Sequence, residues 1–151
     1  MNGPETESDL TIRYQIYQFF AEYCRAPLAE ELAADLGLPA AEVRVALLRL
    51  HERHMIFVDA ESGNIRMANP FSAVPTSYRV QAGSKSWWAN CAWDTLGIAA
   101  ALAIDVEIEA VHPLDGSQLS LRVAAGQVSN ADRLVYFPLP CRQWYDDLVY
   151  T

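Results

Sequence analysis

Cys91 and Asp94 stand three residues apart within Trp87-Trp88-Ala89-Asn90-Cys91-Ala92-Trp93-Asp94-Thr95-Leu96. The residues that follow, Thr95 to Leu102, are rich in Ala and Leu with Gly97 near their middle, and predict a buried helix. Side chains three apart on a helix share a face, so the thiol and the carboxyl group are expected to point the same way near the helix N-terminus. That end carries partial positive charge and free N–H groups, which favour a thiolate. A thiolate beside a carboxyl group, walled by tryptophan, suits binding of a soft metal and delivery of a proton. The same residues also have a plainer use. A free Cys beside Ala and Trp serves as a small core residue, and an Asp at a helix start serves as a cap. Trp87, Trp88 and Trp93 are most simply packing residues, because neighbours on a strand or helix point in different directions.

The elements that must hold this pair follow from periodicity. Ile12, Ile16, Phe19, Phe20 and Tyr23 recur at helical spacing within Thr11–Cys24. Pro27 suits the first turn of a second helix reaching about Leu36, with Leu28, Leu32 and Leu36 every four residues. Gly37 breaks it, and Pro39 opens a third helix through about Arg53, with Val43, Ala46, Leu47 and Leu50 on its inner face. Met55–Val58 and Ile65–Met67 flank a Ser-Gly-Asn turn and predict a hairpin. Three helices and a hairpin in this order predict a winged helix-turn-helix. DNA contact through Arg44, Arg49 and Arg53 is one use for it; a packing or dimerisation module is the other.

Beyond Met67 the pattern changes. Pro70 and Pro75 predict a linker over 68–76. Ser77–Val80 and Lys85–Trp88 flank Gly83 as a hairpin leading into the Cys91 helix. Val106, Ile108 and Ala110 alternate with Glu107 and Glu109, and Leu119, Leu121 and Val123 alternate again after the Asp115-Gly116 turn. Leu134–Phe137 predicts a further strand, stopped by Pro138 and Pro140, and Arg142–Tyr150 a last short helix with Trp144 and Leu148 turned inward. The expected fold class is α+β. A flexible tail, 1–9, precedes a winged-helix-like three-helix domain, 10–67. The linker, 68–76, then leads to a mostly antiparallel sheet domain with one or two helices, 77–151.

Composition narrows the functions. Of 151 residues, 52% are hydrophobic, so the chain can bury a core. No apolar run approaches the ~20 residues of a membrane span, and Met1–Asp9 lacks the basic start and apolar stretch of a signal peptide, which makes a cytoplasmic location the expectation. Nineteen acidic against 11 basic residues give a net charge of -8, a field that repels phosphate backbones and makes nucleic acid an unlikely partner. Cys24, Cys91 and Cys141 form no CxxC pair, so neither a zinc ribbon nor a disulfide framework is indicated.

The order of winged helix, Pro-rich linker and a strand running into Trp-x-x-Cys-Ala-x-Asp-Thr-Leu resembles the organomercurial (alkylmercury) lyase family, from about Thr11 to Phe137. Cys91-Ala92-Trp93-Asp94-Thr95-Leu96 carries the specific part of the likeness. The resemblance implies protonolysis of a carbon–mercury bond. Cys91 would take the mercury and Asp94 would donate the proton, with transfer of Hg(II) to a thiol carrier. It implies no resident cofactor; mercury is substrate and product, and low-molecular-weight thiols act as co-reductant or acceptor. The family's second cysteine falls just before the strand placed at Leu134–Phe137, where this chain has Ser129-Asn130-Ala131-Asp132-Arg133. Cys141 comes later; it either completes mercury coordination or is a plain buried thiol, the reading preferred. A third family cysteine, near His112-Pro113-Leu114, is missing too. Asp132 with Cys91 and Asp94 would suit a harder metal, and His112 reads as a solvated turn residue. The end at Thr151 is expected to leave one wall of the site open or to have a partner subunit, as in a homodimer, close it. The alternatives are a non-catalytic member binding a soft metal or thiol-reactive ligand through Cys91, and a metal-sensing winged-helix regulator.

Overall fold

A computed structural model describes residues 7–129, 132, 134–137 and 139–144, Cys141 by its backbone alone. Helix α1 (Glu7–Tyr23) buries Ile12, Ile16, Phe19 and Phe20, as its periodicity predicts, but Tyr23 at its last position is exposed. α2 (Ala29–Leu36) ends at Gly37, whose left-handed φ of 65° suits a residue without Cβ. Its first turn is closed by Glu31, which accepts the Leu28 N–H at 2.8 Å; the Arg25 guanidinium first, and that N–H second, hold its carboxyl down at about 2. α3 (Ala40–Glu52) buries Val43, Ala46, Leu47 and Leu50, as predicted. Strands β1 (Phe57–Val58) and β2 (Ile65–Ala68) form the expected hairpin.

The tail is shorter than expected. Residues 7–9 already belong to α1, and Asp9 is 0% exposed, because Arg49 and Arg53 of α3 meet its carboxylate. The connector at 68–76 also needs correction. Phe71–Ser72 form strand β3, which pairs with β2 on one side and with β5 (Lys85–Ala89) on the other. The prolines flank this pairing and leave its N–H groups free to bond. With β4 (Tyr78–Ala82), β6 (Val106–Val111), β7 (Gln118–Ala124) and β8 (Gln127–Val128), the result is one antiparallel eight-stranded sheet in the order β1-β2-β3-β5-β4-β6-β7-β8. The α+β class therefore holds, with the helices first and the sheet continuous beneath them.

Helix α4 (Ala92–Leu102) follows β5 and packs on β4, β5 and β6. Val80, paired with Trp87 on one side and Ile108 on the other, makes a buried row across the sheet. One apolar cluster runs from Ile12 and Leu50 through Phe71 and Trp87 to Ile98 and Ile108. Among the contacts that pin α1 to the sheet, the Trp87 indole donates to the Phe20 carbonyl at 2.7 Å, and Phe20 stacks on Phe71 at 5.1 Å. Glu107 and Glu109 face outward from β6 as the alternation predicts.

Leu134–Phe137 is not a strand: it pairs with no strand among the described residues, and Leu134 is 95% and Tyr136 82% exposed. Beyond it, Cys141–Gln143 form a single 3-10 turn, and Trp144 packs on Phe137 with ring centroids 5.1 Å apart. The rest of the helix expected at Arg142–Tyr150, Leu148 included, lies outside the described residues. No helix among the described residues is long and apolar enough to cross a membrane.

Candidate active site

Cys91 is the N-cap residue of α4, with extended backbone at φ −147° and ψ 177°, where β5 hands over to the helix. Asp94 lies in the first turn. Their side chains are near enough for each to shift the other's ionisation, and both are half-buried. Asp94 is held from two further sides. The Asn90 amide lies 3.4 Å from its Oδ2. Gly97, one turn on, lets Pro70 of the β2–β3 turn pack against α4: a Cβ at position 97 would sit 3.0 Å from the Pro70 Cβ and 4.0 Å from Asp94 Oδ1. Gly97→Ala sets a helix-propensity gain of up to ~1 kcal/mol against overpacking of ~1–3 kcal/mol. Because Pro70 sits on a tight turn with no flexible end to swing away, net destabilisation of about 1 kcal/mol is expected, read as a lower midpoint in urea unfolding.

The electrostatics reverse one expectation. The helix N-terminus was expected to favour a thiolate, and the amides of Trp93 and Asp94 do pull in that direction, without a side-chain capping bond from Cys91. Burial and the neighbouring Asp94 charge outweigh them and push the Cys91 thiol up to about 11. Asp94 is itself raised, by burial, against the opposing hydrogen bonds from Cys91 and Asn90. The influence runs one way: the carboxylate disfavours ionisation of the thiol, whereas the thiol's hydrogen bond favours the carboxylate, so the proton of the pair stays on sulfur at neutral pH. Tyr78 of β4 is close enough to Cys91 for that sulfur's charge, after burial, to raise the phenol as well.

The tryptophan walls are not there. Trp87 is in the core, Trp88 lies beneath Arg79 at 5.9 Å, and Trp93 is 59% exposed. The site's sides are instead Asn90, Tyr78 and the Asn69–Pro70 turn, which sequence reasoning passed over. Asn90 lies within the Trp87–Leu96 segment, but Asn69 and Tyr78 are brought in only by strand pairing. The remaining candidates disperse. Cys24 sits past the α1 end that meets Lys85, whereas Cys91 lies beyond the other end of β5, roughly 20 Å away at ~3.3 Å per residue. For Cys141 only the backbone is described. No three His, Cys, Asp or Glu side chains cluster as a metal site among the described residues, so Asp132 does not join Cys91 and Asp94. His112 pairs with Asp115 at 3.1 Å in the β6–β7 turn. The three arginines offered for DNA contact are each engaged by carboxylates, Arg44 by Glu30 and Arg49 and Arg53 by Asp9. An open cavity of about 520 Å³ exists, but it lies along the far half of α4, between Ala99, Ala103, Val123 and Val128, and does not include the pair.

Fold and site together define an α+β protein with a thiol–carboxyl pair at the N-terminus of a helix packed on an antiparallel sheet. The alkylmercury lyase family model matches residues 71–151, which contain the pair and the sheet that carries it. A solved structure described as the mercury-bound form of MerB2 superposes with a TM-score of 0.67 at 25% identity, covering 83% of this chain. The chain spans 60% of the length of that structure. No curated protein matches it. The chain belongs to the alkylmercury lyase family.

Proposed function

We propose that the chain cleaves the carbon–mercury bond of organomercurials by protonolysis, with Cys91 as the mercury-binding sulfur and Asp94 as the proton carrier. The observation that carries this reading is the placing of the two interacting groups at the start of α4, inside the segment matched by the family model.

The protons balance with these two groups. The Cys91 thiol is protonated at neutral pH. As its sulfur bonds to the mercury of R–Hg⁺, the S–H proton passes to the Asp94 carboxylate. Burial, which raises Asp94, makes the resulting acid a better-matched donor at neutral pH than an ordinary carboxyl group. Asp94 then gives the proton to the carbon; the C–Hg electron pair goes to that carbon, R–H departs, and Hg(II) stays on sulfur. Hg(II) is soft and prefers a second thiolate. The family's second cysteine position is occupied by Ser129–Arg133, so a low-molecular-weight thiol supplies that sulfur and carries the product away. Turnover therefore depends on added thiol.

The same substitution favours a second reading, a member that captures soft metals or thiol-reactive compounds on Cys91 and does not turn over. Incubation with phenylmercury and excess thiol separates the two. Benzene release above the thiol-only control, lost in Cys91→Ser, is the expected result. No benzene above that control, with mercury binding still lost in Cys91→Ser, supports capture alone.

A further inference from the structure

We infer that Asn90 is a positioning residue, whose side-chain amide suspends the Asp94 carboxylate from the β2–β3 turn and keeps it aimed at the Cys91 sulfur. The inference rests on the proposed role of Asp94. The Asn90 Nδ2 lies 2.9 Å from Asn69 Oδ1, 3.2 Å from the Phe71 carbonyl and 3.4 Å from Asp94 Oδ2. Its own Oδ1 is buried and accepts nothing. Rotating the amide would turn that oxygen toward three acceptors, so the orientation is fixed by its donors, at the expense of an unsatisfied acceptor. The turn that holds it is braced in turn. Tyr17 of α1 donates to the Asn69 carbonyl at 3.1 Å, and Pro70 packs against Gly97.

Asn90 has two N–H groups and three acceptors. Asn69 and Phe71 hold the shorter bonds; Asp94 takes the longest. A hydrogen bond to a carboxylate is stronger than one to the neutral acid. The amide's share to Asp94 therefore grows when Asp94 gives up its proton and weakens when it takes one. Asn90 holds the carboxylate in place between cycles without locking the acid form, and it lowers the cost of the charge left after proton transfer.

A purely structural staple between the β2–β3 turn and the end of β5 would lose stability on mutation without touching Asp94. The test therefore reads Asp94 directly, by ¹³C NMR titration of its carboxyl carbon, alongside steady-state benzene release from phenylmercury with excess thiol. In Asn90→Ala the Asp94 midpoint is expected to rise by about half to one pH unit and kcat to fall roughly 3–10-fold with KM nearly unchanged. Asn90→Leu, which keeps the volume and removes both donors, is expected to behave the same way and serves if the alanine variant does not fold. Asn69→Ala is expected to lower thermal stability without raising the Asp94 midpoint. An unmoved midpoint in both Asn90 variants overturns the inference. If the wild type releases no benzene, the lyase reading fails while the titration still decides the role of Asn90.

Discussion

Asn at position 94 is expected to leave mercury capture intact and to remove turnover. Asp94→Asn keeps the shape of the side chain beside Cys91 and takes away its ionisable proton. Loss of a positioned proton donor costs roughly 10²–10⁴ in rate. Benzene release from phenylmercury should fall by that factor, while stoichiometric retention of mercury on Cys91 after gel filtration persists. The same substitution should make the thiol more reactive. Asp94 is the second-largest influence holding Cys91 near 11, behind burial, so removing its charge lowers the thiol toward its ordinary range without reaching it. With on the order of one thiol in 10⁴ ionised at pH 7 when the pKa is 11, each unit of decrease raises the thiolate fraction about tenfold. Iodoacetamide labelling of Cys91 at pH 7 should then quicken by several-fold to about tenfold. Slower or unchanged labelling would mean that the carboxylate does not face the sulfur, and the proton pathway would have no start.

Stability follows the same logic with the sign fixed. A carboxyl group raised on folding contributes stability that is complete below its ordinary pKa and lost as pH rises through the folded value, so ionised Asp94 is a cost at neutral pH. Asp94→Asn should therefore unfold at equal or higher urea concentration than the wild type. The thiol behaves alike at the other end of the scale: raised from 9.0 to about 11, Cys91 contributes stability present below about pH 9 and lost between pH 9 and pH 11. A variant that gains stability while losing turnover marks a residue kept for its chemistry.

The parts of this molecule legible in the sequence are those set by local periodicity. Ile12, Ile16 and Phe20, or Val43, Leu47 and Leu50, identify their helices because every member of each stripe faces one core. Cys91 and Asp94 were legible for the same reason, one helical turn being a local distance. What went unread depends on strand pairing. Phe71–Ser72 became a strand because Met67–Ala68 and Trp88–Ala89 were there to bond with, a fact no window around Pro70 contains. That pairing also delivers Asn69 to Asn90 and so builds the wall of the site. Leu134–Phe137 failed in the opposite direction, having strand-forming residues and no strand among the described residues to pair with. The sign of the thiol shift went unread because a helix N-terminus is evident from a pattern, whereas burial and a neighbouring charge are properties of the packed state.

Arg49→Met is expected to be the most destabilising change away from the site. Arg49 grips Asp9 with two nitrogens, Nη2 at 2.5 Å and Nε at 3.1 and 3.2 Å from the two carboxylate oxygens, tying the first turn of α1 to α3. The burial is lopsided: Asp9 is fully covered, whereas the Arg49 side chain is 36% exposed. Removing the arginine leaves a buried carboxylate with Arg53 at 3.9 Å, a poorer partner at that distance. Breaking a wholly buried pair costs about 3–5 kcal/mol; the exposure of Arg49 and the survival of Arg53 reduce this to about 2–3 kcal/mol. Urea unfolding should show that loss as a lower midpoint with an unchanged slope, since the packed surface is otherwise the same. Asp9→Leu should cost less, because Arg49, already 36% exposed, can turn toward water, and Asp9→Leu with Arg49→Met should be more stable than Arg49→Met alone. If the double variant instead loses the sum of the two single losses, the pair does not interact, and α1 is held to α3 by Ile12, Ile16 and their apolar partners alone.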